Sequence, residues 1–173
     1  MMTQGALGDC WFVSAMNAFA AKEGKLERVL VNAENKLNAA GIHAFKFWAL
    51  GVPRPVVVDD KLPLGPAEDG KKLQFAPPGK DGSWWGALLE KALAKHWGNY
   101  LHVIGGEPHN GVRTVQGGPS VVHYVKDAKT PAQQEAIWKA VVKGTKDGAT
   151  MHHATLGTGS RKQNAMGLPE DHS

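Results

Sequence analysis

The sequence predicts a mixed fold of the α/β (α+β) class, with helices and strands following one another along the chain. Three observations support this prediction. Residues 10–21 contain no glycine or proline and carry apolar side chains on almost every face, which is typical of a buried helix. Residues 42–50 and 55–59 are rich in aromatic and β-branched side chains, which favours two strands. Residues 84–97 have the apolar spacing of a second strong helix.

The ends of the two strong helices are marked by capping and breaking residues. Asp9 is placed to cap the first helix and Gly24 to end it. Ser83 and Gly98 have the same roles for the later helix. A weaker helical stretch is predicted at residues 26–37.

Residues 62–82 are predicted to form a long loop, and residues 130–143 another capped helix. Two short strands are predicted at residues 73–75 and 149–156. The helix start combines Thr130 as cap, Pro131 at the first position and Gln133 as capping-box partner, and Gly144 is expected to end the helix. The glycine pairs at 105–106 and 117–118 indicate a region that could hold a domain boundary.

Length and composition exclude several classes of protein. The chain has 173 residues, 42% hydrophobic and 21% charged, which is typical of one globular domain, or of one large domain plus part of a second. The formal net charge is +4, but Lys and Arg form no run, so we expect no nucleic-acid partner. No stretch approaches the roughly 20 apolar residues of a membrane span, and no secretory signal is visible.

The single cysteine, Cys10, allows no intrachain disulfide, so an intracellular, cytoplasmic setting is expected. It lies in the first turn of the predicted helix, where the helix dipole favours a negatively charged sulfur. Gly5 and Gly8 allow a tight turn before the helix. The amide of Gln4 can donate a hydrogen bond to an oxyanion beside the Cys10 backbone N–H, and Trp11 can shield the site. This combination predicts a cysteine nucleophile.

The run Gln-Gly-Ala-Leu-Gly-Asp-Cys-Trp-Phe at residues 4–12 resembles the active-site segment of calpains, within the papain-like superfamily. The resemblance continues in three further blocks, at residues 41–48, 56–63 and 85–95. It covers most of the chain up to Gly106 and becomes faint afterwards. Several blocks in the right order are more specific than a lone motif.

The resemblance implies a papain-like cysteine protease core of two lobes. Residues 1–106 would form a helical first lobe with the nucleophile, and residues 107–173 the start of a β-rich, incomplete second lobe. The implied function is that of an intracellular endopeptidase, which cleaves proteins by limited proteolysis through a thioester. Protein or peptide substrates are the implied partners, with regulatory domains in a longer parent chain. No organic cofactor is implied.

Family order points to His172 as the catalytic base, since it follows the Gly-Leu pair at 167–168. Calpains usually have Gly before this His and Ala-Tyr after it, whereas here Asp171 precedes it and Ser173 follows. A terminal His without a catalytic role therefore remains the alternative. The family's triad Asn, in an Asn-Pro-Trp setting, is not found in the chain. We therefore expect a piece of a longer protein, with weak or no turnover by itself.

Calcium is implied for the parent protein by the resemblance. The family's first-lobe site uses an acidic residue upstream of the Gln and a Glu at the start of the later helix. Here the upstream position falls at or before Met1, and the helix-start position holds Ser83. A neutral hydroxyl is a poorer calcium ligand than a carboxylate, so weak or absent binding is expected.

Two other functions remain as alternatives. A calpain-like module without a working triad would serve as a scaffold or interaction domain. A metal site from Cys10, His152, His153 and His172 is disfavoured, because no Cys-x-x-Cys or His-Glu-x-x-His spacing occurs.

Overall fold

The structure is a computed structural model that describes residues 1–31, 38–66, 72–155 and 172. Its helices and strands are α1 (Cys10–Ala20), β1 (Ile42–Ala49), β2 (Val52–Asp59), α2 (Trp85–Trp97), α3 (Pro108–Gln116) and α4 (Pro131–Lys146). Short 3₁₀ turns occur at Leu26–Arg28, Tyr100–Val103 and Val125–Asp127. None of the helices in the described ranges is long and apolar enough to cross a membrane.

Strands β1 and β2 form an antiparallel hairpin whose register runs from Ile42 opposite Asp59 to Ala49 opposite Val52. The two turn residues, Leu50 and Gly51, have φ of 51° and 77°. Positive φ at both central residues matches the twist of paired strands and closes the hairpin tightly. Alternate side chains of each strand face the core, as expected for a sheet with one buried face: Phe45, Phe47, Val56 and Val58.

Helix α1 lies at the centre of the core. Trp11, Phe12 and Phe19 are among its fully buried side chains, which explains why its apolar residues extend almost all the way round. Helix α3 packs directly against it, because Gly111 brings the two backbones close; a Cβ at Gly111 would lie 2.8 Å from the Cβ of Ala15. Helix α2 packs against the hairpin and contributes to the same core. The nucleophile's helix is therefore held from several sides.

The mixed α/β class is confirmed, and so are both predicted strands and the helices that became α1, α2 and α4. The helix predicted at 26–37 is wrong for its described part. Only Leu26–Arg28 forms a 3₁₀ turn, and Leu30 pairs instead with Phe45 in an isolated bridge. Residues 32–37 lie outside the described residues. The segment does not continue as a helix because its backbone groups can form hydrogen bonds with the hairpin instead.

Two short strands and four helix ends also differ from prediction. Helix α1 ends at Ala20, four residues before the predicted stop at Gly24. Residues 73–75 contribute only a bridge between Leu73 and Leu64, and residues 149–155 form no strand; residue 156 lies outside the described residues. Helix α4 continues through Gly144 to Lys146. Asp9 and Ser83 make no side-chain cap hydrogen bond, and Trp84, not Ser83, is the cap residue of α2.

Helix α3 was not predicted, and it lies beyond the predicted lobe boundary at residue 106. Its Val112 and Val115 nevertheless belong to the same hydrophobic cluster as α1 and the hairpin. Residues 107–155 contain helix and loop but no strand, so the β-structure expected after residue 106 is not found in this described range. The division into lobes at 1–106 and 107–173 remains a prediction.

Candidate active site

Cys10 is the first residue of α1 and is half-buried. The main-chain carbonyl of Asp9 accepts hydrogen bonds from the N–H groups of Phe12 at 2.8 Å and Val13 at 3.1 Å, which closes the first turn. The start of a helix leaves the N–H groups of Cys10 and Trp11 without intrahelical acceptors. Cys10 therefore lies where unpaired N–H groups and the helix dipole favour negative charge.

The loop of residues 4–8 leads into α1 and carries Gln4. The Gln4 side-chain amide donates a hydrogen bond from Nε2 to the main-chain oxygen of Leu7 at 2.6 Å, which fixes the amide within the loop. A primary amide has two N–H donors, so this bond uses one of them. Gly5 lies directly against the main-chain carbonyl of Phe75, and a Cβ there would overlap that carbonyl. Glycine is thus required for the loop's path.

Trp11 is buried immediately behind the nucleophile. Its indole Nε1 donates to the main-chain oxygen of Val103 at 2.9 Å, and its ring lies 5.6 Å from that of Trp97. Gly106 approaches the indole so closely that a Cβ would be 2.6 Å from Cε2 of Trp11. Gly106, at the predicted lobe boundary, is therefore needed for packing against the tryptophan that follows Cys10.

Asp9 and Glu90 lie together in the interior beside the start of α1. Asp9 is 0% exposed and Glu90 is 1% exposed, and their carboxyl groups lie close enough for the charge of Asp9 to raise the pKa of Glu90. The Ala76 N–H also donates to Oε2 of Glu90 at 3.0 Å. Burial raises the pKa of Asp9 to about 6; burial and the neighbouring Asp9 charge raise the pKa of Glu90 to about 8.

His172, the predicted base, is exposed and lies beside Thr155. The main-chain oxygen of His172 accepts hydrogen bonds from the N–H of Thr155 at 2.8 Å and from its hydroxyl at 3.0 Å. The N–H of His172 donates to the Thr155 hydroxyl at 3.2 Å. These backbone contacts hold the His172 main chain and leave its catalytic role a prediction.

Two other histidines have pKa values lowered by burial. His96 packs its ring edge against Phe47, with the ring centroids 5.4 Å apart, and Arg54 lowers its pKa further. His152 is half-buried, and the nearby His109 and His153 add to the effect of burial. No group of three or more His, Cys, Asp or Glu side chains in the described ranges is arranged to hold a metal ion.

Ser83 lies just before α2, at the position where the resemblance places an acidic calcium ligand. Its hydroxyl donates to Oδ1 of Asp81 at 2.6 Å, and its N–H donates to the same oxygen at 3.1 Å. These bonds lower the pKa of the Asp81 carboxyl. One exposed carboxylate already engaged by a serine does not fit the oxygen-rich donor set that calcium requires.

A family model described as "Calpain family cysteine protease" matches residues 1–173. The chain belongs to the calpain family of cysteine proteases. This membership accounts for the combination of Gln4, the glycine-containing loop and Cys10 at the start of α1.

Calpains from distant animals are similar to this calpain-family chain. Calpain-5 of Caenorhabditis elegans is 40% identical over 130 residues, which are 72% of this chain and 19% of the relative. The human calpain-1 catalytic subunit is 37% identical over 143 residues, covering 82% of this chain and 19% of the relative. The human calpain-2 catalytic subunit is 39% identical over 143 residues, covering 82% and 20%. The chain thus spans about a fifth of the length of these curated relatives.

Within this calpain-family chain, Gln4 and Cys10 lie in one short segment held by α1, whereas His172 lies beside Thr155 in a separate part of the sequence. The Asp9–Glu90 pair was missed by sequence reasoning. One signal was available, because Glu90 lies on the helix face that carries the small or apolar residues Gly86, Ala87, Leu93 and Ala94. A carboxylate at such a position is unusual unless it is paired.

Proposed function

We propose that this calpain-family chain carries the nucleophile of an intracellular endopeptidase, which cleaves proteins at limited sites through a thioester on Cys10. The observation that carries the proposal is the placement of Cys10 at the start of α1, with the Gln4 amide fixed in the loop that leads to it. The same segment supplies a nucleophile and two donors for an oxyanion, which are the parts that acyl transfer requires.

The proposed reaction begins when the Cys10 thiolate attacks the carbonyl carbon of the scissile peptide bond and forms a C–S bond. The carbonyl oxygen becomes an oxyanion, which accepts hydrogen bonds from the Cys10 backbone N–H and the Gln4 amide. The C–N bond then breaks, and the leaving amine takes a proton from the His172 imidazolium. Water attacks the thioester with His172 as base, releasing the carboxylic acid and regenerating the thiol.

The hydrogen bond from Gln4 to Leu7 supports the oxyanion role. It uses one amide N–H and restricts the rotation of the side chain, so the second N–H can be held ready for the substrate. Preorganised donors are effective because they need no reorganisation during the reaction. A freely rotating glutamine would lose part of this benefit.

A non-catalytic calpain-like scaffold is the second candidate. The observation that favours it is the exposure of His172, whose sequence neighbours also differ from those usual in calpains. A scaffold would retain the packing of α1 but would have no chemical need for Gln4 and Cys10.

Intact-mass labelling with a peptidyl epoxide tests the proposal, because this reagent favours a positioned thiolate over an ordinary thiol. We expect one adduct on Cys10 at about pH 6, with little peptide turnover by the chain alone. The variants Gln4→Ala and His172→Ala should each slow labelling by about tenfold or more, since each removes a group that stabilises the reacting thiol or oxyanion.

Gln134→Ala is the matched control for Gln4→Ala, because Gln134 also donates to a loop carbonyl, that of Ala128 at 3.2 Å. His123→Ala, at an exposed position, is the control for His172→Ala. Both controls should label at the wild-type rate. Labelling no faster than that of a free thiol such as glutathione, and indifferent to Gln4→Ala, would instead support the scaffold.

A further inference from the structure

The buried Asp9 and Glu90 carboxyl groups have few partners other than each other. Within the described ranges, neither oxygen of Asp9 has a hydrogen-bond partner, and neither does Oε1 of Glu90. Of the four oxygens of the pair, only Oε2 of Glu90 accepts a hydrogen bond there, from the Ala76 N–H at 3.0 Å. Two carboxylates so placed would face each other without compensation, and each would bear the cost of losing its hydration.

A hydrogen bond between two carboxyl groups requires a proton on one of them, because an ionised carboxylate can only accept. The charged groups around the pair do not replace that proton. Lys91, the next residue on α2, forms its ion pair with Asp59 on β2 at the surface. The phenol of Tyr100 lies close enough for Glu90 to raise its pKa, after burial, to about 12, and it therefore stays neutral.

We propose that Asp9 and Glu90 hold one proton between them in a carboxyl–carboxylate hydrogen bond, and that this bond positions the start of α1, and with it the Cys10 backbone N–H, for catalysis. Asp9 and Glu90 are thus positioning residues. The inference rests on the proposed function, because it assigns them a role toward Cys10 as nucleophile.

One side of the pair connects directly to the nucleophile. Asp9 precedes Cys10, and its carbonyl closes the first turn of α1 through Phe12 and Val13. A shift of Asp9 therefore moves the Cys10 N–H. Displacements of about 1 Å at a catalytic group can lower the rate by about a hundredfold, so a firm anchor matters.

The other side of the pair connects to the oxyanion loop. Glu90 accepts a hydrogen bond from the Ala76 N–H, and the carbonyl of the preceding residue, Phe75, lies against Gly5. The Ala6 N–H donates to the Gln74 carbonyl at 3.4 Å in the same contact. The shared proton therefore links three parts of the molecule, which are α2, the start of α1 and the loop that carries Gln4.

The arrangement predicts a defined pH dependence. Because burial raises the pKa of both carboxyls, the pair keeps a proton near neutral pH and releases it to solvent as the pH rises above about 8. Two adjacent negative charges then repel each other, and the anchor at Asp9 is weakened. Of the neighbouring groups, Tyr100 stays neutral in this range and Lys91 remains paired with Asp59.

Glu90→Gln separates this role from plain structural support. The glutamine amide can donate to the Asp9 carboxylate and its oxygen can still accept from Ala76, so the hydrogen bonds persist without a titrating proton. Asp9→Asn makes the equivalent change on the other partner, so that an amide at position 9 can donate to the Glu90 carboxylate. Glu135→Gln is the control, since Glu135 is exposed on α4.

The measurement is the rate of Cys10 labelling by the peptidyl epoxide divided by the rate with iodoacetamide, from about pH 6 to pH 9. The ratio cancels the thiolate fraction and reports positioning. We expect the wild-type ratio to fall by about tenfold over this range and the Glu90→Gln ratio to stay within about twofold. Asp9→Asn should behave like Glu90→Gln, and Glu135→Gln like wild type.

Infrared difference spectroscopy between Glu90→Gln and wild type at neutral pH gives a readout that is independent of reactivity. We expect the C=O band of one protonated carboxyl in the wild type and its loss in Glu90→Gln. Superimposable labelling profiles for wild type and Glu90→Gln would overturn the positioning role while leaving the proposed function intact. Absence of epoxide labelling at every pH would overturn the proposed function and the positioning role with it. A missing carboxyl band would overturn the shared proton.

Discussion

Ser83 lies where the resemblance to calpains places an acidic calcium ligand, and its hydroxyl makes a hydrogen bond within the loop instead. The side chain donates to Asp81, so the loop before α2 is closed by a serine–aspartate hydrogen bond. This contact engages one carboxylate oxygen of Asp81. Calcium needs six to eight oxygen ligands, with carboxylates among them.

We therefore predict that the chain binds calcium weakly or not at all. Calorimetric titration should show no micromolar binding to the wild type, because Ser83 provides a hydroxyl where the resemblance places a carboxylate. Ser83→Glu should raise calcium affinity by about tenfold or more, since it restores an anionic oxygen and releases Asp81. Magnesium is the control ion and should give no comparable gain. Micromolar calcium affinity in the wild type would contradict the prediction.

For single residues, the sequence predicted Cys10 and Gln4 as site residues because their motif is contiguous. Asp9 was predicted to cap α1, and its side chain is instead buried against Glu90. That contact depends on how α1 and α2 pack, and no local pattern encodes it. His172 was assigned from family order alone, so its role stays a prediction.

Helix α4 is stabilised mainly by its own sequence. None of its residues is buried, and Trp138 is 62% exposed. Its start carries a complete capping box, in which the Thr130 hydroxyl accepts from the Gln133 N–H and the Gln133 side chain accepts from the Thr130 N–H. A helix with so little packing depends strongly on such end contacts.

Thr130→Ala should therefore loosen α4 selectively. The loss of the cap should lower local stability by about 1 kcal/mol, which is a several-fold faster amide exchange over residues 131–146. Hydrogen exchange followed by mass spectrometry measures this. Thr145→Ala is the control, because the Thr145 hydroxyl binds the Val141 carbonyl inside the helix and caps nothing at its start. Equal effects of both substitutions would contradict a capping role.

The contrast between α4 and α3 shows what local sequence can and cannot predict. The capping box identified α4 because its signals lie within a few residues of one another. Helix α3 contains Gly111 and is followed by Gly117 as its C-cap, so its sequence locally resembles a loop. It forms a helix because Gly111 allows close packing on α1, a contact with a distant part of the sequence.

For the whole molecule, the buried carboxyl pair makes stability depend on pH. Burial raises the pKa of Asp9 and Glu90 above their values of 3.8 and 4.5, so the folded state retains protons that the unfolded state has released. The free energy of unfolding must then fall as pH rises toward about 8. The half-buried His96 and His152 have the opposite effect, because their lowered pKa makes stability increase as the pH rises to about 6.5.

The window between about pH 7.5 and 8.5 isolates the pair, because His96 and His152 are almost entirely neutral there in both states. We expect the wild-type thermal midpoint to fall across this window and that of Glu90→Gln to remain nearly flat. Glu135→Gln should follow the wild type. Thermal unfolding monitored by circular dichroism measures the effect, and parallel curves for wild type and Glu90→Gln would contradict it.

Family membership was predictable from the sequence because several blocks keep their order along the chain, and the family comparison confirms it. The order of blocks does not report how far each lobe extends. Val112 and Val115 join the core around α1 although they lie beyond the predicted boundary at residue 106. Such packing follows from contacts in space, which a linear pattern does not contain.

The hydrogen bond between the Trp11 indole and the Val103 carbonyl joins residues 92 positions apart. During synthesis the chain emerges from its N-terminal end, so Cys10 leaves the ribosome well before Val103. Until then the indole has no partner at that position, and the wall behind the thiol is incomplete. In a nascent calpain-family chain, Cys10 therefore leaves the ribosome long before the contact that fixes Trp11 behind it can form.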